Sequence, residues 1–388
     1  MLNKANRQTY HKNGIRMLLG LLLLMLTCHC SPHRQVIENP NIDDWDVEQK
    51  HYKNLFPPKY HYMEETEYDA IDFRQPHEKG TRSYALLSDP RGDIDRTKGY
   101  DPADYTITTN LSLLNVPMHE VQVTWIRHAS FLIQMGGKYQ ILVDPVLEKI
   151  DGIVGTFGKY YAIGRLYAET PLTVEDITSP LYSTLTEDKG SLIVLISHDH
   201  YDHLNYNTLK KLPEGTRYYV PHGLEKDFPK KYAHVIGMDW YTTNVVDELS
   251  ITFLPANHRS GRSVTTTNDS LWGGWLLEWR DHRIYFAGDT GYSAVFRDIR
   301  SNVGEMDVCL MPITAWFQRH WHFAPEDAID AAEDLGCRTF IPWGWGTWIM
   351  SFEHMLDPPR RLQYAWGHRQ RPEMELRIMK MGETYVSE

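Results

Sequence analysis

The sequence predicts an α/β body of layered sheets and helices over residues 120–388, preceded by a polar arm. Three observations carry that prediction. Strand-length apolar segments recur from Val121 onward, and one of them, Leu192–Ile196, is apolar throughout, as a strand buried on both faces must be. Helix signals stand between the strands, the alternation that builds layered α/β folds. The chain has 388 residues, 42% of them hydrophobic, and 26 Gly, enough apolar material for a globular core.

Taken in order, Val121–Ile126, Ser130–Gln134 and Tyr139–Val143 read as strands, the last two joined at Gly136-Gly137, a hairpin signal. Beyond Leu192–Ile196, strands are expected at Arg217–Val220, Ile251–Leu254, Gly274–Trp279, Arg283–Ala287, Val308–Met311 and Arg338–Ile341. The clearest helix is Pro325–Leu335. Proline occupies its first turn, Glu326 and Asp327 sit at the positive end of its dipole, and Gly336 stops it.

The part before this body differs in texture. Residues 31–119 are polar and weakly periodic, with turn signals at Asp89-Pro-Arg-Gly92 and Lys98-Gly-Tyr-Asp-Pro102, and read as an extension packed on the body. Residues 1–30 carry Lys4, Arg7, Lys12 and Arg16, no acid, and the apolar run Met17–Leu26. That run is too short for the roughly 20 residues of a bilayer span, and a basic start before a short apolar core is the layout of a secretory signal. Export is therefore expected, to the periplasm or as a membrane-anchored lipoprotein. Cys28, just past the run, resembles the acylated residue of a bacterial lipoprotein box; a cleaved signal and an uncleaved anchor are the alternatives.

Composition excludes some functions. With 40 Lys+Arg against 51 Asp+Glu the net charge is −11, the wrong sign for a chain whose main partner is nucleic acid. Four Cys are too few for a disulfide scaffold, and Cys309 and Cys337 read as buried thiols.

The chemistry is concentrated directly after the buried strand, in Ser197-His198-Asp199-His200-Tyr201-Asp202-His203. Imidazole nitrogens and carboxylate oxygens suit first-row divalent metals. In a loop capping a strand, alternate residues His198 and His200 can point to one ion, and Asp202 and His203 can turn to a second. Such a cluster is costly to bury without a compensating cation. Two later segments repeat the form of a polar residue ending an apolar strand: Phe253-Leu-Pro-Ala-Asn-His258 and Ile284-Tyr-Phe-Ala-Gly-Asp289-Thr-Gly. They complete three ligands for one ion (His198, His200, His258) and a bridging carboxylate, Asp289.

The order His-x-His-x-Asp-His, then His258, then Gly-Asp289-Thr-Gly resembles the metallo-β-lactamase superfamily, and within it the branch of N-acyl-phosphatidylethanolamine-hydrolysing phospholipase D. Thr124–Ile133, Ile141–Val146, Ile196–Leu204, His258–Arg262, Leu271–Gly274, Tyr285–Tyr292, His322–Ala328 and Glu353–Pro359 carry the resemblance, over roughly residues 120–360. It implies an αββα sandwich with two zinc ions at one edge and water acidified by them as nucleophile. His322 is then expected to face the site as a donor to an oxyanion or leaving group, its alternative role being to cap the Pro325 helix. Asp289 would position the ions and Asp202 orient the nucleophile.

The chain departs from that branch at one ligand. The branch places a last His before Trp-Gly-Thr-aromatic; here the stretch is Pro342-Trp-Gly-Trp-Gly-Thr-Trp348, which puts Gly344 at that position. The second ion keeps Asp202, His203 and Asp289 and needs water, a substrate oxygen or a substitute such as His320, His322 or His354. Arg127 stands where the branch has Gly, near the site or at the surface. Arg259 and Arg262 are candidates to clamp an anionic substrate. Eight of the twelve Trp fall between Trp272 and Trp348, and Trp345 among them is a candidate wall for an acyl chain, the alternative being core packing.

These residues imply a metal-dependent hydrolase of phosphodiesters, phospholipid-like and near a membrane surface. The alternatives are a lactonase or amide hydrolase of the same fold, and a metal-binding protein without turnover because of Gly344.

Overall fold

A computed structural model describes residues 33–46, 48–60, 66–71, 97–114, 117, 120–150, 168–179, 192–263, 265–349, 351, 353–369 and 373–387. The run Met17–Leu26, Cys28, Cys30 and the turn signal at 89–92 lie outside these residues. No helix among the described residues is long and apolar enough to cross a membrane.

The strands are β1 (His33–Ile37), β2 (Trp45–Asp46), β3 (His51–Tyr52), β4 (Val121–Arg127), β5 (Ser130–Met135), β6 (Tyr139–Val143), β7 (Ile193–Leu195), β8 (Arg217–Pro221) and β9 (His234–Met238), then β10 (Thr242–Val246), β11 (Leu249–Pro255), β12 (Gly273–Trp279), β13 (His282–Phe286), β14 (Met306–Pro312), β15 (Cys337–Trp343), β16 (Glu375–Leu376) and β17 (Thr384–Ser387). The helices are α1 (Val174–Thr178), α2 (Tyr206–Leu209), α3 (Val295–Val303), α4 (Pro325–Leu335) and α5 (Asp357–Gly367). Among the described residues they build two large sheets. One runs β1-β9-β8-β7-β6-β5-β4-β17 and the other β10-β11-β12-β13-β14-β15-β16.

Side-chain alternation along the first sheet feeds two separate cores. Val121, Val123, Trp125, Phe131, Ile133, Ile141 and Val143 share one core with Ile251, Phe253, Trp275, Leu277 and Phe286 of the second sheet. Their neighbours Ile126, Leu132, Leu142 and Val194 pack the other way, with Val174 and Ile177 of α1 and Leu209 of α2. On the far side of the second sheet, α4 packs on β14 and β15 and touches both α3 and α5. The layers are therefore helix, sheet, sheet, helix, an αββα sandwich.

The arm contributes to this frame directly. β1 adds a parallel strand beside β9, and at the opposite edge β17 pairs antiparallel with β4. Cys309 and Cys337 are a correction to the expectation of free thiols. They form a disulfide across the neighbouring parallel strands β14 and β15, with Cα atoms 6.0 Å apart. The two strands are neighbours, but their register sets Met306 opposite Cys337 and Cys309 opposite Phe340, so pairing alone does not align the cysteines, and a 28-residue separation in sequence gives no sign of the bond.

Candidate metal centre

Carboxyl ends of strands from both sheets meet at one rim, the place where open α/β sheets commonly bind ligands. The segment after β7 carries Ser197–His203, that after β11 carries His258, and that after β13 carries Asp289. The rim is closed by backbone: Gly273 N–H donates to the Ser197 carbonyl at 3.0 Å, tying the sheets together. Gly288 lies in this seam with φ +62°, and a Cβ there would sit 2.5 Å from the Gly273 carbonyl oxygen. Only glycine fits, so the residue before Asp289 is dictated by the closeness of the two sheets.

His198, His200, His258 and Asp289 form the first group, and His128, Asp202 and His203 the second; within each, one ligand atom per residue lies within 4.8 Å of all the others. In the first, His198 Nε2 is 2.8 Å and His258 Nε2 3.2 Å from His200 Nδ1. Asp289 Oδ2 is 3.9 Å from His198 Nε2, 3.8 Å from His258 Nε2 and 3.2 Å from His203 Nε2, and so stands between the groups. In the second, Asp202 Oδ2 is 3.0 Å from His128 Nε2 and 3.6 Å from His203 Nε2.

Three of these rings are oriented from behind. His198 Nδ1 bonds Ser197 Oγ at 2.9 Å, and His258 Nδ1 bonds the Trp321 carbonyl at 3.0 Å. His203 Nδ1 bonds Asp144 Oδ2 at 2.7 Å. Asp144 is fully buried at the end of β6 and also accepts from Ser197 N–H and Ser197 Oγ–H. Such partners select the tautomer that turns Nε2 toward the ion.

Burial sets the electrostatics. It holds His198 and His258 well below the ordinary imidazole range and brings His200 down to about 4, so all three are the neutral ligand form. Burial opposes charge on His203 too, but Asp289, Asp202 and Asp144 outweigh it and push that group well up. The two carboxyls Asp202 and Asp289 are held low, against burial, chiefly by His203.

The donors fit a divalent cation. Two imidazole nitrogens crowd His200 Nδ1, where one proton satisfies only one pair, and Asp289 Oδ2 faces the Nε2 atoms of His198, His203 and His258 at 3.9, 3.2 and 3.8 Å. A cation bound to the lone pairs satisfies all of them at once.

Other expected residues fall in different places. His322 turns its Nε2 to 3.5 Å from Asp289 Oδ2 and does not cap α4, whose first turn is closed by Asp327 accepting from Ala324 N–H. Arg259 lines the cleft with its guanidinium 4.3 Å from the centre of the Trp321 ring. Arg262, expected to clamp an anion, instead donates to the Asp199 and Leu204 carbonyls and stacks on Tyr201, holding the ligand loop in shape. Trp345, expected as a substrate wall, is buried against Trp125 and Tyr105, because the segment after β15 turns it into the core. Arg127 is likewise interior: it donates to the Val146 and Glu148 carbonyls, and burial lowers it to about 10. His354 uses Nε2 on the Lys98 carbonyl and Nδ1 on Leu356 N–H, and His320 stacks on Trp321.

His128 and Asp144 also stand at the site, and the sequence assigns a role to neither. Asp144 follows the apolar run Ile141–Val143, a mark of the kind that singles out Asp289, whereas His128 follows Arg127 on a strand of mixed polarity and has no such mark.

The cleft over both groups encloses about 350 Å³ and is bordered by Tyr201, Arg259, Thr314, Phe317 and Gln318. Residues 139–345, more than half of the chain, match the Beta-lactamase superfamily domain. An uncharacterised protein of Mycobacterium tuberculosis is 32% identical over 255 residues, covering 63% of this chain; the chain spans 63% of that relative's length. N-acyl-phosphatidylethanolamine-hydrolyzing phospholipase D 1 of Caenorhabditis elegans is 28% identical over 264 residues, 62% of this chain and 68% of that one. Among solved structures, the metallo hydrolase Igni18 of Ignicoccus hospitalis superposes with a TM-score of 0.51 at 22% identity, covering 69% of this chain and 99% of its own. With the αββα layers, the imidazole-lined rim and this match in agreement, the chain belongs to the beta-lactamase superfamily.

Proposed function

We propose that this hydrolase cleaves phosphodiesters, of phospholipid type, with zinc as its metal. The observation that carries the reading is Arg259, the one Lys or Arg among the described residues bordering the cleft. No carboxylate among the described residues pairs with it. A guanidinium half-buried beside the candidate ligands and bordering the cleft is matched to the anionic oxygen that a phosphodiester already carries when it binds, whereas a neutral lactone or amide develops such charge only in the transition state. Homology to the C. elegans phospholipase supports the same class.

Divalent ions held by the two groups would supply an acidified water as nucleophile and positive charge opposite the phosphoryl oxygens. The chain's own residues do the rest. Arg259 binds the anion and orients it, His322 holds a proton at Nε2 beside the leaving oxygen, and Asp202 and Asp289 keep the ligand atoms in register. Phe317 and Tyr201 give the cleft apolar walls for an acyl or glyceryl portion. An exported enzyme at a membrane surface suits this substrate; the basic and apolar start of the chain supports export, as does the Cys309–Cys337 bond, a kind that persists in oxidising compartments.

Arg259→Ala tests the assignment on bis(p-nitrophenyl) phosphate against a lactone panel. Loss of a charge-assisted contact worth about 1.5–3 kcal/mol lowers phosphodiester kcat/KM roughly 10- to 100-fold and leaves any lactone turnover unchanged. Efficient lactone hydrolysis with no phosphodiester turnover in the unaltered protein would overturn the reading.

A further inference from the structure

The second group lacks the ligand that residue 344 would carry, and the backbone there disfavours a side chain. Gly344 has φ +102°, and a Cβ would lie 2.7 Å from Thr314 Oγ1. Of the other candidates, His354 bonds Lys98 and Leu356, His320 rests on Trp321, and His322 faces Asp289 from the side of His258, in the first group.

The segment that begins at Gly344 nevertheless reaches the site by a different route. Thr347 Oγ1 accepts the backbone N–H of His128 at 3.0 Å, and the Trp348 ring packs edge-on against the His128 imidazole with centroids 4.7 Å apart. From the other side, Trp125 Nε1–H donates to the His128 carbonyl at 2.9 Å. These contacts hold His128 in a left-handed backbone conformation, φ +47°, uncommon for a residue other than glycine. Its side chain is 5% exposed as a residue and delivers Nε2 to Asp202 Oδ2, beside His203.

We propose that His128 is a side-chain ligand of a second divalent ion, beside Asp202 and His203, replacing the imidazole absent at position 344. The inference rests on the hydrolase reading of this rim. One feature of the geometry also ranks the two ions. His198, His203 and His258 each have Nδ1 bonded from behind, whereas His128 Nδ1 is buried without a partner. A ligand lacking that support binds roughly 10- to 100-fold more weakly, so the second ion is the first to leave on dilution or chelation.

The test is metal content and position in the full chain loaded with zinc alone. Unaltered protein is expected to hold two ions, and an anomalous-scattering map to place His128 Nε2 within about 2.0–2.1 Å of the weaker one. His128→Asn, which tolerates the left-handed backbone but is too short to reach, is expected to retain one ion; His128→Ala provides a second variant. The unfolding midpoint of each metal-free variant, compared with that of the metal-free parent, separates ligand loss from misfolding. Two ions held undiminished by a well-folded His128→Asn, a second ion out of bonding range of Nε2, or a single ion in the parent would each overturn the proposal. With phosphodiester hydrolysis persisting in the last case, the function above stands without it; a parent that binds no ion defeats both.

Discussion

Two clusters of buried ionisable side chains sit a few residues apart in this protein, and they solve the problem of buried charge in opposite ways. Behind the cleft, Arg319 Nε donates to Asp327 at 3.0 Å, and Arg361 donates to Glu326 at 2.9 Å and to Asp69 at 2.7 Å. That network joins the arm, α4, α5 and the segment carrying His322, and its cations are covalent parts of the chain. At the rim, imidazoles and carboxylates converge with no Lys or Arg among the two candidate ligand groups, and the Nε2 atoms of His198 and His258 crowd His200 Nδ1 at 2.8 and 3.2 Å. Buried carboxylates with their own guanidiniums make a joint; buried lone pairs facing one another make a site that waits for a cation from outside.

That contrast can be broken by substitution. His200→Ala carries the largest effect: it removes the nitrogen on which the first group converges, and both bound metal and hydrolysis should be lost while the denaturation midpoint of the metal-free protein stays put. Normal turnover in this variant would defeat the assigned chemistry. Arg361→Ala acts on the other cluster, where stranding Glu326 and Asp69 should cost about 3–5 kcal/mol in chemical denaturation. Metal per folded chain should not change; an unaltered midpoint would show that the joint does not support the fold. Asp144→Asn sharpens the comparison with a smaller effect. It leaves every ligand in place but weakens the support of His203, and titration should find zinc affinity lowered roughly 10- to 100-fold. An unchanged affinity would mean that the orienting bond to Asp144 is dispensable.

Legibility from sequence follows the range of the interaction that decides each element. β6 and α4 match their expected bounds because local signals set them: a strand-length apolar run for one, Pro325 and Gly336 for the other. β10, on the edge of its sheet with exposed alternate residues, and β17, which owes its conformation to pairing with β4, have no such local mark. The candidate ligands His198, His200, Asp202 and His203 are legible because they are crowded into one loop, and His258 and Asp289 because each follows an apolar strand. Arg262 and Trp345 were misplaced for one reason: residue type shows what a side chain can do, whereas the direction in which the backbone sends it depends on elements far away in the chain.

What the sequence determined by itself is therefore the layered α/β body and the chemical identity of the first metal group, since periodicity and donor type are properties of short segments. Tertiary structure decided the rest. It joined Cys309 to Cys337, turned Arg262 and Trp345 inward, closed position 344 against Thr314, and brought His128 from the β4–β5 turn to the side of Asp202. Each of these depends on sheet register and on the close approach of two sheets, and such contacts exist only once distant strands have paired.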